Sequence, residues 1–109
     1  MPLWERLFQL KNREELIMTV YRQLSIDFNR AGLEIPFEST TPPQEWNFSI
    51  ASYLAAQPQQ SVDQLLYLID LPEKLTMAIR MSDCYFTQLS DAILYREMVK
   101  VYYKISYSS

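Results

Sequence analysis

The chain has no histidine, one glycine and one cysteine among its 109 residues. Without histidine it lacks the commonest general base and metal ligand, which excludes Ser-His-Asp triads, Cys-His dyads, zinc sites and di-iron sites with Glu-x-x-His. A single glycine disfavours hairpins, phosphate loops and nucleotide-binding turns, which need glycine where φ is positive or backbone approaches a ligand. These absences favour helices joined by polar loops, and we predict no catalytic, cofactor-binding or metal-binding residues.

Cys84 is the lone cysteine, so it cannot form an internal disulfide. It falls in an apolar helical stretch, where a free thiol behaves as a small hydrophobic group, and we expect it to be buried and inert.

The N-terminus has no basic region followed by an apolar run, and no stretch approaches the roughly 18 apolar residues of a membrane span. We therefore expect a soluble cytoplasmic protein without a membrane segment.

The remaining composition is typical of a folded domain. Hydrophobic residues make up 49% of the chain and aromatic residues 14%, which is enough apolar surface to offset the entropy lost on folding. A length of 109 residues fits one domain with one core. We predict a single helical domain over residues 1–109.

The first long helix is marked at both ends. Asn12 and Glu15 have the spacing of a capping box, in which each side chain accepts a hydrogen bond from the other residue's backbone amide. A helix is therefore predicted from near Arg13 to about Ala31. Gly32 supplies the left-handed residue that commonly follows a helix.

Other segments carry weaker helix signals. Residues 3–10 predict a short helical segment before the first long helix. Residues 33–41 lack helical spacing and predict an ordered loop, with Thr41 capping the helix that follows. Ser61 and Gln64 form a second capping box, which predicts another short helix.

From Asp70 onward the sequence predicts one long C-terminal helix. Asp70 is a good N-cap residue, Pro72 fits a first turn, and no glycine or proline follows before Ile105. A continuous helix from Pro72 to Ile105 would be about 50 Å long. Its predicted apolar stripe steps by three or four residues and comprises Leu75, Ala78, Met81, Tyr85, Leu89, Ala92, Tyr95, Val99 and Tyr102.

These elements predict an all-α, up-and-down bundle of four or five helices with the long C-terminal helix as its spine. The other helices are too short to cover a spine of about 50 Å, so part of its face should meet another protein or a second copy. We therefore expect a non-catalytic intracellular protein-interaction module that forms a homodimer. The expected contact residues are Tyr95, Met98, Tyr102, Tyr103 and Tyr107.

Two alternatives stay open. Five methionines and many aromatic residues would suit a pocket for a small apolar ligand between helices. Arg96, Lys100 and Lys104 alternate with tyrosines, a pattern found where single-stranded nucleic acid binds. A sequence pI near 4.9 opposes phosphate binding, so nucleic acid is the less favoured partner.

Acidic residues are unevenly distributed along the chain. Residues 31–73 contain six acidic residues and no basic one, which would steer a basic partner there, although helix dipoles also favour acids near helix starts. Acid-base chemistry would be possible through an acid paired with an arginine or tyrosine, but the sequence singles out no such pair among Glu14, Glu15, Asp27, Asp83 and Asp91. Glu97 and Lys100 have helical i,i+3 spacing and are interpreted as a surface ion pair.

Overall fold

The computed structural model describes residues 13–107, with side chains up to residue 104. In this range the C-terminal helix over Tyr85–Tyr107 packs against each of the other four α-helices, and the helix over Arg13–Arg30 also packs against the one over Gln59–Ile69. The fold is the predicted all-α bundle with the C-terminal helix at its centre. The predicted helical segment over residues 3–10 and the Asn12 cap lie outside the described residues. The elements are α1 (Arg13–Arg30), a 3-10 turn (Pro43–Glu45), α2 (Trp46–Ala55), α3 (Gln59–Ile69), α4 (Glu73–Arg80) and α5 (Tyr85–Tyr107).

The end of α1 at Arg30 agrees with the sequence prediction, and Gly32 follows the helix as expected with φ 77°. The Leu33 amide donates to the Phe28 carbonyl at 2.8 Å, and the Gly32 amide donates to the Asn29 carbonyl at 3.0 Å. These two bonds occupy carbonyls of the last turn, as is common where a left-handed residue follows a helix. The buried face of α1 comprises Leu16, Val20, Leu24, Asp27 and Phe28.

Aromatic side chains attach the loop after α1 to the core. The ring of Phe37 stacks on that of Trp46 with centroids 5.0 Å apart, and the Tyr21 hydroxyl donates to the Phe37 carbonyl at 3.2 Å. The Trp46 indole N–H donates to the Thr41 carbonyl at 2.9 Å. Several aromatic residues therefore fill the core, and their number alone does not indicate a binding surface.

The prediction of one continuous helix over residues 72–105 is wrong. A turn over residues 81–84 divides that segment into α4 and α5. The Ser82 amide donates to the Ile79 carbonyl at 3.0 Å, and the Ser82 hydroxyl accepts from the Cys84 amide at 3.1 Å. A serine that bonds an amide two residues later favours a new helix start over continuation. The bundle measures 37 × 26 × 23 Å, too short for a rod of about 50 Å.

Asp70 ends a helix, whereas the sequence predicted that it would start one. It follows α3 in the left-handed conformation, with φ 65° and ψ 51°. The amides of Asp70 and Leu71 both donate to the Leu66 carbonyl, at 3.1 and 3.3 Å, which completes the α3 terminus. The prediction that Cys84 is buried in a helix is also wrong, because it lies in the turn before α5 and is exposed.

Two predicted caps are displaced by prolines. Pro42 precedes the 3-10 turn that leads into α2, so Thr41 lies outside its cap position. Pro58 precedes α3, which places Ser61 inside that helix. Proline has no amide to leave unsatisfied and its fixed φ suits a helix start, so it takes these positions without a side-chain cap.

Candidate functional site

The predicted interface residues occupy two different environments on α5. Tyr95, Tyr102 and Tyr103 are partly exposed, at 45%, 39% and 52%. The rings of Tyr102 and Tyr103 meet edge to face with centroids 5.9 Å apart. Met98 is 1% exposed and packs within the core, so its assignment to an interface is wrong. The Tyr107 side chain lies outside the described side chains.

Met98 is buried because α5 is rotated about its axis relative to the sequence prediction. The sequence placed Tyr95 and Tyr102 on the core face, but both are exposed. The buried face of α5 is therefore rotated away from these tyrosines. Up to residue 104, the buried residues of α5 are Leu89, Ser90, Ile93, Leu94, Glu97, Met98 and Val101.

A groove lies between α4 and α5 and has a volume of about 370 Å³. Its apolar part includes Leu75 and Tyr95, which are 41% and 45% exposed. An Arg96 guanidinium nitrogen lies 3.5 Å from an Asp70 carboxylate oxygen at this groove. We call this feature the α4–α5 groove; it is lined by Asp70, Leu71, Pro72, Leu75, Ala92, Tyr95 and Arg96.

The helix on one side of the groove has little core contact. Ile79 is the one residue of α4 that is buried. Met77 and Met81, four residues apart and therefore on one side of the helix, are 59% and 89% exposed. α4 therefore presents apolar side chains outward as well as into the groove.

The basic residues of α5 are largely engaged within the chain. Arg96 pairs with Asp70, and the Lys100 ammonium lies 3.7 Å from a Glu97 carboxyl oxygen. The ion pair between Arg96 and Asp70 reduces the positive charge available to a phosphate backbone. Asp70 also belongs to the acidic central segment, so part of that segment's charge is balanced from within the chain.

A second candidate site is a pair of acidic side chains buried between α1 and α5. Asp27 is 2% exposed and Glu97 is fully buried. The Gln23 amide nitrogen lies 3.3 Å from each Asp27 carboxyl oxygen. Among the described residues no group donates a hydrogen bond to either Glu97 carboxyl oxygen. Because Glu97 is buried, the interpretation of Glu97 and Lys100 as a surface pair is wrong for Glu97. We call Asp27 and Glu97 the acid pair.

Burial, followed by a hydrogen bond with Asp27 and the negative charge of Asp27, raises the pKa of Glu97 to about 8, whereas Lys100 lowers it. Helical spacing contained a signal for both acids. Asp27 lies between Leu24 and Phe28 on the buried face of α1, and Glu97 lies four residues before Val101 on that of α5. An acid at a core position is rarely buried without a partner, so the two periodicities together indicate a pair.

Within residues 13–107 no group of three or more acidic or cysteine side chains is placed to hold a metal ion. None of the helices in that range combines the length and apolar character needed to cross a bilayer. The fold and these sites define a small all-α bundle with an open groove and a buried acid pair. Comparison with protein-family models, curated proteins and solved structures finds no match.

Proposed function

We propose that this protein is a non-catalytic interaction module that forms a homodimer through the α4–α5 groove. The observation that carries the proposal is the groove itself, where half-exposed Leu75 and Tyr95 lie beside an exposed acid and a basic side chain. Tyrosine contributes a large rigid apolar area at low entropic cost, which is why it is enriched in interfaces. The chain has no histidine, which fits a role without acid-base catalysis.

The charges at the groove favour a second copy as the occupant. A two-fold interface brings the same surface together twice, so it must be complementary to itself. The groove carries one acidic and one basic side chain, Asp70 and Arg96, 3.5 Å apart, and the Asp70 side chain is 83% exposed. In a two-fold pair Arg96 of each copy can approach Asp70 of the other without placing like charges together.

The proposed contact area extends beyond the groove along α5. Tyr102 lies seven residues after Tyr95 and therefore on the same side of the helix. A stable interface buries about 800 Å² on each partner, which is more than Leu75 and Tyr95 alone provide. We therefore include Tyr102 and the neighbouring Tyr103 in the proposed interface.

We propose that this interaction module is located in the cytoplasm. Cys84 is exposed and is the chain's one cysteine, so no internal disulfide protects it. Free thiols persist in the reducing cytosol, whereas oxidising compartments favour disulfides.

The test is the solution mass by light scattering across a roughly hundredfold concentration range, at low and high salt. We expect a dimer for the unmodified chain and a folded monomer for Tyr95→Glu and Tyr102→Glu, because each puts a charge into the apolar contact. Phe48→Glu is the matched control, since Phe48 is 75% exposed on α2 and does not line the groove. A monomer at every concentration, or equal dissociation by the control, would contradict the proposal.

A small apolar ligand is the second candidate occupant of the same groove. Its volume of about 370 Å³ lies at the lower end of the range typical of ligand sites, about 300 to 1,000 Å³. A ligand that binds the folded chain raises its melting temperature with ligand concentration. This alternative predicts such a rise for the unmodified chain and its loss in Tyr95→Glu, with no dependence on protein concentration.

A further inference from the structure

The acid pair joins the two helices that make a large part of the core. Asp27 comes from α1 and Glu97 from α5, and neither side chain is more than 2% exposed. Gln23 is the neutral donor within 3.3 Å of Asp27. Lys100, three residues after Glu97, has its ammonium nitrogen 3.7 Å from one Glu97 oxygen and keeps 30% of its side chain exposed.

Two negative charges in this position would be poorly compensated. No described residue donates a hydrogen bond to Glu97, and Lys100 is one partly solvated cation for two buried acids. Among the described residues, Asp27 from α1 and Lys100 from α5 are the charged groups that act on Glu97, and α2, α3 and α4 contribute none. A proton on Glu97 removes one charge and supplies the donor that the Asp27 carboxylate can accept.

We propose that Asp27 and Glu97 share one proton that stabilises the contact between α1 and α5. Loss of this proton in mildly alkaline solution weakens that contact. The device is independent of dimer formation, because it rests on core residues of one chain. It resembles other carboxyl pairs in proteins in that two close acids do not both ionise at neutral pH.

The sign of the effect follows from proton binding. The pKa of Glu97 is about 8 in the folded chain and has its ordinary value of 4.5 when the side chain is solvated. Between these values the folded chain holds a proton that the unfolded chain has released, so stability is fully present below about 4.5 and is lost as the pH rises to about 8. In this window the unfolding constant rises by up to about tenfold per pH unit.

The test is urea unfolding of the full chain between about pH 6 and pH 9, compared with Glu97→Gln. The unfolding constant of the unmodified chain should rise about a hundredfold more than that of Glu97→Gln over this range, because glutamine keeps the shape and cannot ionise. Glu14→Gln is the matched control, since Glu14 is an exposed acid on α1, and it should retain the full dependence. Equal pH dependence in all three proteins would overturn the proposal.

A direct titration keeps the proposal testable if Glu97→Gln does not fold. The carboxyl carbon of Glu97, followed by NMR in the unmodified chain, should titrate above neutral pH. The methyl signals of Val101, which lies in the core four residues after Glu97, should shift with the same midpoint, while those of Ile50 on α2 should not. A Glu97 midpoint near the ordinary value of 4.5, or an α2 response equal to that of α5, would overturn the proposal.

Discussion

Replacing Asp27 with asparagine should stabilise the protein at alkaline pH, although most polar substitutions in a core are destabilising. At about pH 9 Glu97 is largely deprotonated in the folded chain, given its pKa of about 8, and its charge then lies beside the negative charge of Asp27. The substitution would remove one of the two buried charges. The new side-chain amide would also donate a hydrogen bond to Glu97, whose carboxyl oxygens accept none from the described residues.

The magnitude follows from the pKa of Glu97. The difference between about 8 in the folded chain and the ordinary 4.5 corresponds to about 5 kcal/mol of lost stability. Burial is the largest cause of that difference, and the hydrogen bond with Asp27 and its charge come second and third. Asp27→Asn can therefore recover only part of that loss, and we expect about 1–2 kcal/mol at alkaline pH.

At about pH 6 the expected effect of the same substitution is close to zero or slightly unfavourable. Glu97 is then protonated and can donate to either residue, but a bond to a carboxylate is stronger than one to an amide oxygen. The asparagine side-chain oxygen can still accept from Gln23, which lies 3.3 Å from Asp27. The substitution should therefore change from neutral to stabilising as the pH rises.

Urea unfolding monitored by circular dichroism at the two pH values measures this change of sign. Asp63→Asn is the control, since the Asp63 side chain is 50% exposed and pairs with Arg80 at the surface. It should alter stability by less than about 1 kcal/mol at either pH. Destabilisation by Asp27→Asn at both pH values would refute the argument that Asp27 disfavours the charged form of Glu97.

Two further predictions concern residues outside the acid pair. Trp46→Phe should cost about 2–4 kcal/mol in urea unfolding, because the Thr41 carbonyl loses its indole donor at 2.9 Å and the stacked contact with Phe37 shrinks, whereas Phe48→Leu on the exposed side of α2 should cost less than about 0.5 kcal/mol. A loss of less than about 1 kcal/mol for Trp46→Phe would show that this ring does not hold the loop. Cys84 should react with a thiol reagent in the folded chain at a rate close to that in urea, because it is exposed in the turn before α5; protection until unfolding would contradict that placement.

Local signals were sufficient where one helix end is coded by a few adjacent residues. The end of α1 could be predicted because Gly32 can adopt a positive φ without strain and because the apolar spacing stops there. The buried side of α2 was also predictable, since Trp46, Ile50 and Leu54 repeat at helical spacing and are all fully buried. The all-α class followed from the same periodicity together with the scarcity of glycine.

The end of α4 was missed because its signal is conditional. Ser82 is compatible with a helix interior and also with a helix start. Which of the two forms depends on whether packing of α4 against α5 is more stable than one continuous helix. Asp70 was misread for a similar reason. Aspartate is favoured as an N-cap residue but also tolerates the left-handed conformation, and the bonds to the Leu66 carbonyl select the second role.

The sequence by itself determined that this chain builds helices, where α1 ends and which class of fold the helices form, because periodicity, proline and glycine act within a few residues. Tertiary structure alone decided which side of α5 is covered, and with it that Tyr95 is exposed, Met98 is buried and Glu97 meets Asp27. The physical reason is that a broad apolar helix fits several rotations about its own axis. The neighbours that pack against it, rather than its own spacing, select one of them.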